Sequence, residues 1–129
     1  MTKEYSKAVE EALKLADETL SEAKALLQLN KLRGSVSRAY YAMFNASRAL
    51  LYSKDIAVKT HKGVISMLGQ YFIKTKEIDS SFSKIIIDTF NLRQATDYEF
   101  EVDLGRETVE KIVEDAEKFV KEAKNFLNK

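Results

Sequence analysis

Apolar residues recur every three or four positions through most of the chain, which is the period of one face of an α-helix. The pattern predicts four long helices and one shorter helix. The first begins after Thr2 and ends near Asn30, and the last follows Gly105 and continues to about Leu127. We therefore expect an all-α fold, an antiparallel four-helix up-and-down bundle with one additional short helix.

The helix predicted around residues 37–52 has no ordinary solvent face, because three stripes of different character cover it. The apolar stripe comprises Val36, Tyr40, Met43, Phe44, Ser47, Leu50 and Leu51. The small-residue stripe comprises Ser35, Ala39, Ala42, Ala46, Ala49 and Ser53 and would allow a neighbouring helix to approach closely. The mixed stripe comprises Arg38, Tyr41, Asn45, Arg48 and Tyr52 and suits a groove, a ligand or a partner. Such a helix belongs at the centre of a bundle.

A third helix is predicted to begin at the N-cap Thr60 and to carry the only histidine, His61, in its first turn. The residues predicted to lie on or near its inner face are His61, Val64, Ile65, Leu68, Tyr71 and Phe72. Near the positive end of a helix dipole the neutral imidazole is favoured over its cation. That setting is compatible with a base and equally with an ordinary hydrogen-bonding role.

A fourth helix is predicted after the N-cap Asp79, and charged residues extend its inner stripe. The stripe begins with Phe82, Ile85, Ile86, Thr89 and Phe90 and continues to Arg93 and Asp97. A guanidinium and a carboxylate are costly to bury alone. We expect Arg93 to point inward toward the mixed stripe and form a polar cavity. The alternative is a simple ion pair between Arg93 and Asp97 within one helix.

The segment from Asp97 to Asp103 alternates acidic and apolar residues, the two-residue period of a strand. No second strand is predicted to pair with it, so we interpret it as a helix end followed by an extended connection. Its carboxylates do not follow the spacing of an EF-hand loop, and solvation explains them better than a divalent cation. No metal site and no cofactor are expected.

Composition narrows the class of protein. The chain of 129 residues has no Pro and only four Gly, which favours long helices in one domain spanning residues 1–129. The absence of Cys excludes disulfides and thiolate metal sites. We expect no membrane span, because no apolar run reaches about 18 residues. A cytoplasmic location is the expectation, since the N-terminus lacks the apolar region of a secretory signal.

The net charge of +1 hides a strong asymmetry along the chain. The segment from Lys31 to Lys76 contains nine Lys or Arg residues and one acidic residue, Asp55, a net charge of +8 that leaves −7 for the remainder. Such a segment can attract phosphate or an acidic partner. It can equally pair with acidic outer helices within the fold.

Three motifs together resemble the short, single-domain branch of the HEPN domain family. They are Ser-Arg-Ala-Tyr-Tyr-Ala-Met-Phe-Asn-Ala at 37–46, Thr-His-Lys-Gly at 60–63 and Leu-Arg-Gln-Ala-Thr-Asp-Tyr at 92–98. The resemblance implies a helical bundle, frequently a homodimer, similar to the substrate-binding subunits that accompany small nucleotidyltransferases. Many relatives are toxins paired with a nucleotidyltransferase antitoxin. In ribonuclease members an Arg and a His, separated by four to six residues, act across a dimer without a metal.

The resemblance places the motif arginine at Arg93 but puts Tyr98 where the histidine should be. A phenol with a reference pKa near ~10 is a poor base beside an imidazole near ~6.5. Related toxins can accept a nucleotide on a tyrosine two residues further on, where this chain has Phe100. The acidic neighbours Asp97, Glu99 and Glu101 would also repel an RNA phosphate.

Three functional hypotheses follow. The first is a HEPN-like module that binds a nucleotide or RNA phosphate, or pairs with a nucleotidyltransferase in a toxin-antitoxin-type system, without strong nuclease activity. The second is a metal-independent endoribonuclease toxin using Arg93 with His61, and the third is a purely structural or interaction bundle. The candidate catalytic residues are Arg93, His61 and Tyr98. The candidate phosphate-binding residues are Arg38, Tyr41, Asn45, Arg48, His61, Lys62, Arg93, Asp97 and Tyr98.

Overall fold

A computed structural model describes residues 2–99 and 102–128 of the chain. In chain order the helices are α1 (Lys3–Gln28), α2 (Leu32–Ser53), α3 (His61–Leu68), α4 (Ser80–Tyr98) and α5 (Arg106–Leu127). A π-helical segment, Gly69–Ile73, continues directly from α3. The predicted all-α bundle of four long helices and one shorter helix is confirmed, and no strand occurs in these two stretches.

Helix α2 forms the centre of the bundle, because it packs against each of the other four helices. Residues 42–47 are all buried, so no solvent face remains along that part of the helix. The apolar stripe supplies the largest fully buried side chains of α2, namely Tyr40, Met43, Leu50, Leu51 and Val36. The central position that the three stripes predicted is therefore correct.

Small residues line the most extensive interface in the bundle, between α1 and α2. The buried alanines are Ala12, Ala16 and Ala23 on α1 and Ala39, Ala42, Ala46 and Ala49 on α2. The Ser35 hydroxyl, fully buried, donates to the Ala23 carbonyl oxygen at 2.8 Å. Short side chains allow the two backbones to approach closely enough for this bond.

The end of the third helical segment differs from the sequence expectation. Tyr71 and Phe72 were expected on or near one inner face, but Phe72 is fully buried whereas Tyr71 is 37 % exposed. The cause is the π-helical segment, in which the Lys74 amide donates to the Gly69 carbonyl five residues earlier at 2.9 Å. One extra residue in the turn rotates the following side chains away from the α-helical register.

Helix α4 ends at Tyr98, and Glu99 is extended, in agreement with the predicted helix end. Arg33 on α2 fixes this end by donating to the carbonyl oxygens of Thr96 and, at 3.2 Å, Glu99. Phe100 and Glu101 lie outside the described residues. Within the described ranges, no helix combines the length and apolar character needed to cross a membrane.

Candidate functional site

The first turn of α3 holds His61 in place through a side-chain cap. Thr60 Oγ1 accepts a hydrogen bond from the Gly63 amide at 3.0 Å, as the sequence predicted for this N-cap. Gly63 leaves room for the cap, because a Cβ atom there would lie 2.5 Å from both Thr60 Oγ1 and Val58 Cγ1. The backbone path that carries His61 therefore depends on the absence of a side chain at Gly63.

We expect Gly63→Ala to destabilise the fold by about 1–3 kcal/mol, since the added methyl must displace the cap or Val58. Gly69→Ala is the matched control, because nothing lies within 4 Å of a Cβ atom at that position. Gly69 has helical backbone angles, so its replacement should be neutral or stabilise by up to about 1 kcal/mol. Urea unfolding of both variants measures the difference, and equal effects would contradict this account of Gly63.

Four aromatic rings surround the imidazole of His61. The ring centroids of Tyr40, Tyr41, Phe44 and Phe90 lie 5.5, 5.8, 4.7 and 5.9 Å from that of His61. The first three rings belong to α2 and the fourth to α4, so the histidine lies where α2, α3 and α4 meet. We call this set, together with Arg93, the Arg93–His61 cluster.

A hydrogen bond of 2.9 Å joins the Tyr40 hydroxyl to His61 Nδ1. Tyr40 is fully buried, and His61 Nδ1 is the hydrogen-bond partner of its hydroxyl in the described part of the chain. A buried O–H proton needs an acceptor, so the hydroxyl donates and Nδ1 accepts. We accordingly assign the tautomer in which neutral His61 carries its proton on Nε2.

Arg93 points inward from α4, as the sequence predicted. Its guanidinium carbon lies 5.5 Å from the ring centroid of Tyr40 and 5.0 Å from that of Tyr41, within the range of cation–π attraction. Its side chain is 19 % exposed, whereas the side chain of Asp97 is 42 % exposed. Arg93 Nε lies 3.4 Å from Asp97 Oδ2, but this contact lacks hydrogen-bond geometry and leaves the buried Nε without a partner.

Charge and burial both affect the pKa values of His61 and Tyr40 in the cluster. Burial lowers the pKa of His61 below 6.5, and the nearby charge of Arg93 lowers it further. The imidazole is therefore neutral at pH 7. Burial raises the pKa of Tyr40 and outweighs the opposing effect of Arg93, so the phenol keeps its proton.

The structure brings together only part of the predicted phosphate-binding set. His61, Arg93 and Tyr41 meet in the cluster, and Asp97 lies at its edge. Arg38 and Lys62 are exposed, and Tyr98, the residue at the motif histidine position, is 83 % exposed.

The mixed stripe, which was predicted to suit a groove, a ligand or a partner, does not form one open face along α2. Asn45 is only 4 % exposed, and the side of α2 that carries Asn45, Arg48 and Tyr52 faces α1. The stripe is therefore divided between two neighbouring helices.

Sequence reasoning placed Tyr40 and Phe44 in the core stripe and missed their contact with His61. A signal was present, because a tyrosine on an apolar stripe carries a hydroxyl that needs a buried partner. Among the described residues, no group of three or more His, Cys, Asp or Glu side chains is arranged to hold a metal ion.

A sequence model described as the HEPN domain matches residues 9–126, most of the chain. This chain belongs to the HEPN domain family. A Methanocaldococcus jannaschii protein named "Putative toxin MJ0605" is 36 % identical over 98 % of this chain and 94 % of its own length. A second protein of that organism, "Putative toxin MJ0142", is 32 % identical over 95 % of this chain and 84 % of its own length. A UPF0332 protein of Thermotoga maritima is 32 % identical over 91 % of this chain and 89 % of its own length.

The HEPN family assignment agrees with the resemblance found in the three sequence motifs. It also places the Arg93–His61 cluster within the matched region, since all of its residues lie between positions 40 and 93. In this HEPN domain the histidine beside Arg93 comes from α3, whereas position 98 on α4 holds a tyrosine.

Proposed function

We propose that this HEPN domain is a toxin-type module that binds the phosphate of an RNA or nucleotide at the Arg93–His61 cluster, without strong nuclease activity. The names of two relatives that align over most of their length support the toxin setting. The basic segment between Lys31 and Lys76 supports a phosphate-bearing ligand, because it carries a net charge of +8 and includes the cluster residues Tyr40, Tyr41 and His61.

The observation that carries the proposal is the inward guanidinium of Arg93, whose buried Nε–H makes no hydrogen bond although Asp97 Oδ2 lies 3.4 Å away. A buried N–H that makes no hydrogen bond is costly, and an oxyanion that binds the guanidinium would offset that cost. Guanidinium groups bind phosphate through charge-assisted hydrogen bonds. The rings of Tyr40 and Tyr41 hold the guanidinium in place for this contact.

The tautomer of His61 favours binding over catalysis. With Nδ1 accepting from Tyr40, the remaining ring nitrogen presents an N–H donor, which can bond a phosphate oxygen beside Arg93. A general base needs a lone pair at that nitrogen instead. Reversing the tautomer would leave the buried Tyr40 proton without its acceptor, so the geometry opposes the base role.

Pairing with a nucleotidyltransferase antitoxin, and assembly as a homodimer, are the partner proposals. Both follow from the family resemblance. Co-expression with a small nucleotidyltransferase from the same genome, followed by affinity purification, measures the pairing, and light scattering of the purified chain measures dimer formation. A monomer that never retains the nucleotidyltransferase would overturn them.

Titration of the purified domain with fluorescein-labelled single-stranded RNA and with ATP at 0.1 M salt tests phosphate binding directly. We expect saturable binding of at least one of them and no cleavage of the RNA. Absence of binding to both probes would overturn the proposal.

A metal-independent endoribonuclease is the second candidate, because His61 and Arg93 contact the same two tyrosine rings. In this version Arg93 holds the phosphate and His61 moves the proton. Cleavage of RNA in the presence of EDTA, abolished by both His61→Ala and Arg93→Ala, would establish it. Cleavage that persists unchanged in both variants would eliminate it.

A further inference from the structure

A second guanidinium, Arg48, lies in a recess of about 170 Å³ between α1 and α2. The recess adjoins the Arg93–His61 cluster through Phe44, a cluster residue whose ring lies between Arg48 and His61. The Arg48 guanidinium carbon lies 5.8 Å from the Phe44 centroid, which is 4.7 Å from the His61 ring. The recess is lined by Ala8, Glu11, Ala12, Leu15, Asn45, Arg48 and Tyr52.

The polar groups in the recess are mainly unused hydrogen-bond donors. Arg48 Nε is buried without a partner, and Nη2 donates to the Tyr52 hydroxyl at 2.5 Å. Asn45 is 96 % buried, since its exposed fraction is 4 %, and its side-chain amide makes no hydrogen bond within the described ranges. A cation with several free N–H groups and a phenol O–H matches the acceptor oxygens of an anion.

The half-buried Arg48 also has no acidic partner within ion-pair distance in the described residues. The carboxylate that lines the recess, Glu11, lies at its rim with its side chain 69 % exposed and 3.9 Å from Lys7 Nζ. It therefore leaves the charge of Arg48 available to a ligand. The guanidinium carbon of Arg48 lies 5.8 Å from the ring centroid of Phe44 and 5.4 Å from that of Tyr52, so both rings position the guanidinium in advance.

We propose that this recess is a second phosphate subsite, so that the domain recognises a single-stranded RNA segment instead of a mononucleotide. The inference rests on the proposed function, because Arg93 supplies the first phosphate subsite. Tyr41 packs under Arg93 and lies seven residues before Arg48 on α2. The Arg93 subsite at Tyr41 and the Arg48 recess are therefore separated by about 10 Å along the axis of α2. That span requires more than one nucleotide.

Partly exposed aromatic rings accompany both guanidinium groups. Tyr41 lies against Arg93, and Tyr52 lies against Arg48 with the Tyr5 ring 6.2 Å beyond it. Cationic groups alternating with aromatic rings are typical of surfaces that bind single strands, where bases stack on the rings and phosphates contact the cations. A rigid duplex would present its bases to neither ring.

Binding of labelled oligouridylates of one, two, four and eight nucleotides to the intact domain tests the inference. We expect at least a tenfold gain in affinity between one and four nucleotides. Arg48→Gln should remove that gain while leaving the affinity for UMP unchanged. It should also reduce the slope of log K against log salt by about 0.7, the contribution of one phosphate contact on a single strand.

Two further variants keep the test independent of folding. Arg48→Lys retains the charge and should keep most of the salt slope, while Lys84→Gln removes an exposed charge on α4 and should change neither readout. Circular dichroism of each variant checks the fold.

The outcomes separate this inference from the proposed function. Equal affinity for all lengths, or an unchanged salt slope in Arg48→Gln, would overturn the second subsite while Arg93-dependent binding stands. Loss of nucleotidyltransferase binding in Arg48→Gln, with RNA binding unaffected, would also overturn it and assign the recess to a partner carboxylate. Binding of ATP without binding of any RNA would overturn the second subsite alone, and no binding of either RNA or ATP by the wild-type domain would refute both proposals.

Discussion

Replacing Arg93 by Gln is expected to lower the affinity of the domain for single-stranded RNA by about 10- to 150-fold at 0.1 M salt. Hydrogen bonds to charged groups contribute about 1.5–3 kcal/mol, which corresponds to this range. Glutamine retains an N–H donor but loses the charge, and it is too short to lie over both tyrosine rings. Fluorescence anisotropy with a labelled octauridylate measures the change.

Lys84→Gln is the matched control for Arg93→Gln, because it removes one positive charge from the same helix. Lys84 is exposed and paired with Asp88 at 2.6 Å, remote in sequence from the cluster. We expect less than a twofold effect on RNA affinity from this variant. The RNA affinity of Arg93→Lys should fall between those of Arg93→Gln and Lys84→Gln, since an ammonium restores the charge without the planar fork of donors.

The same Arg93→Gln variant has an independent readout in the titration of His61. The charge of Arg93 disfavours a second positive charge on the imidazole, so its removal should raise the pKa of His61 toward 6.5. Since the chain has a single histidine, NMR reports one titrating imidazole. A shift in this pKa with unchanged RNA affinity would mean that the Arg93–Asp97 pair is purely structural.

Phe72→Ala is expected to destabilise the fold by about 3–5 kcal/mol, the range for truncating a buried phenylalanine. Phe72 is fully buried, and its ring meets that of Phe126 edge-on at 5.4 Å. Lys54 Nζ lies 4.2 Å from the Phe72 centroid, so truncation also removes a cation–π contact. A domain of this size has a total stability of about 5–15 kcal/mol, so the loss is a large fraction.

Tyr71→Ala is the control for Phe72→Ala, because the two residues are adjacent and aromatic. The Tyr71 ring is partly in solvent, and the bond from Lys54 Nζ goes to its backbone carbonyl, which alanine retains. We expect less than about 1 kcal/mol of destabilisation. Urea unfolding distinguishes the pair, and similar losses in both variants would contradict the π-helical register.

The local features of the site were predictable because their causes are local. The cap at Thr60, the cap at Asp79 and the helical stripe leading to Arg93 depend on residues within four positions of each other. Helix periodicity alone places Arg93 on the inner side of α4, whose preceding stripe is apolar. The sequence therefore predicted an inward guanidinium and a histidine at a helix start.

The partners of these residues depended on how the helices pack. Tyr40 and His61 are 21 positions apart, and their hydrogen bond exists only because α3 crosses α2 at that level. The division of the mixed stripe has the same origin, since Asn45 and Arg48 face α1 while Tyr41 faces α4. Periodicity fixes which residues share a face but does not specify which neighbour covers it.

The amino-acid sequence by itself determined the number and type of helices, the central place of α2 and the family, because these follow from periodicity, small-residue spacing and motifs. The tertiary structure decided that Arg93 and His61 share two tyrosine rings, that Arg48 lies in an adjoining recess, and that Phe72 and not Tyr71 enters the core. These features depend on helix crossing and on one π-helical turn, where a shift of a single residue redirects every side chain that follows.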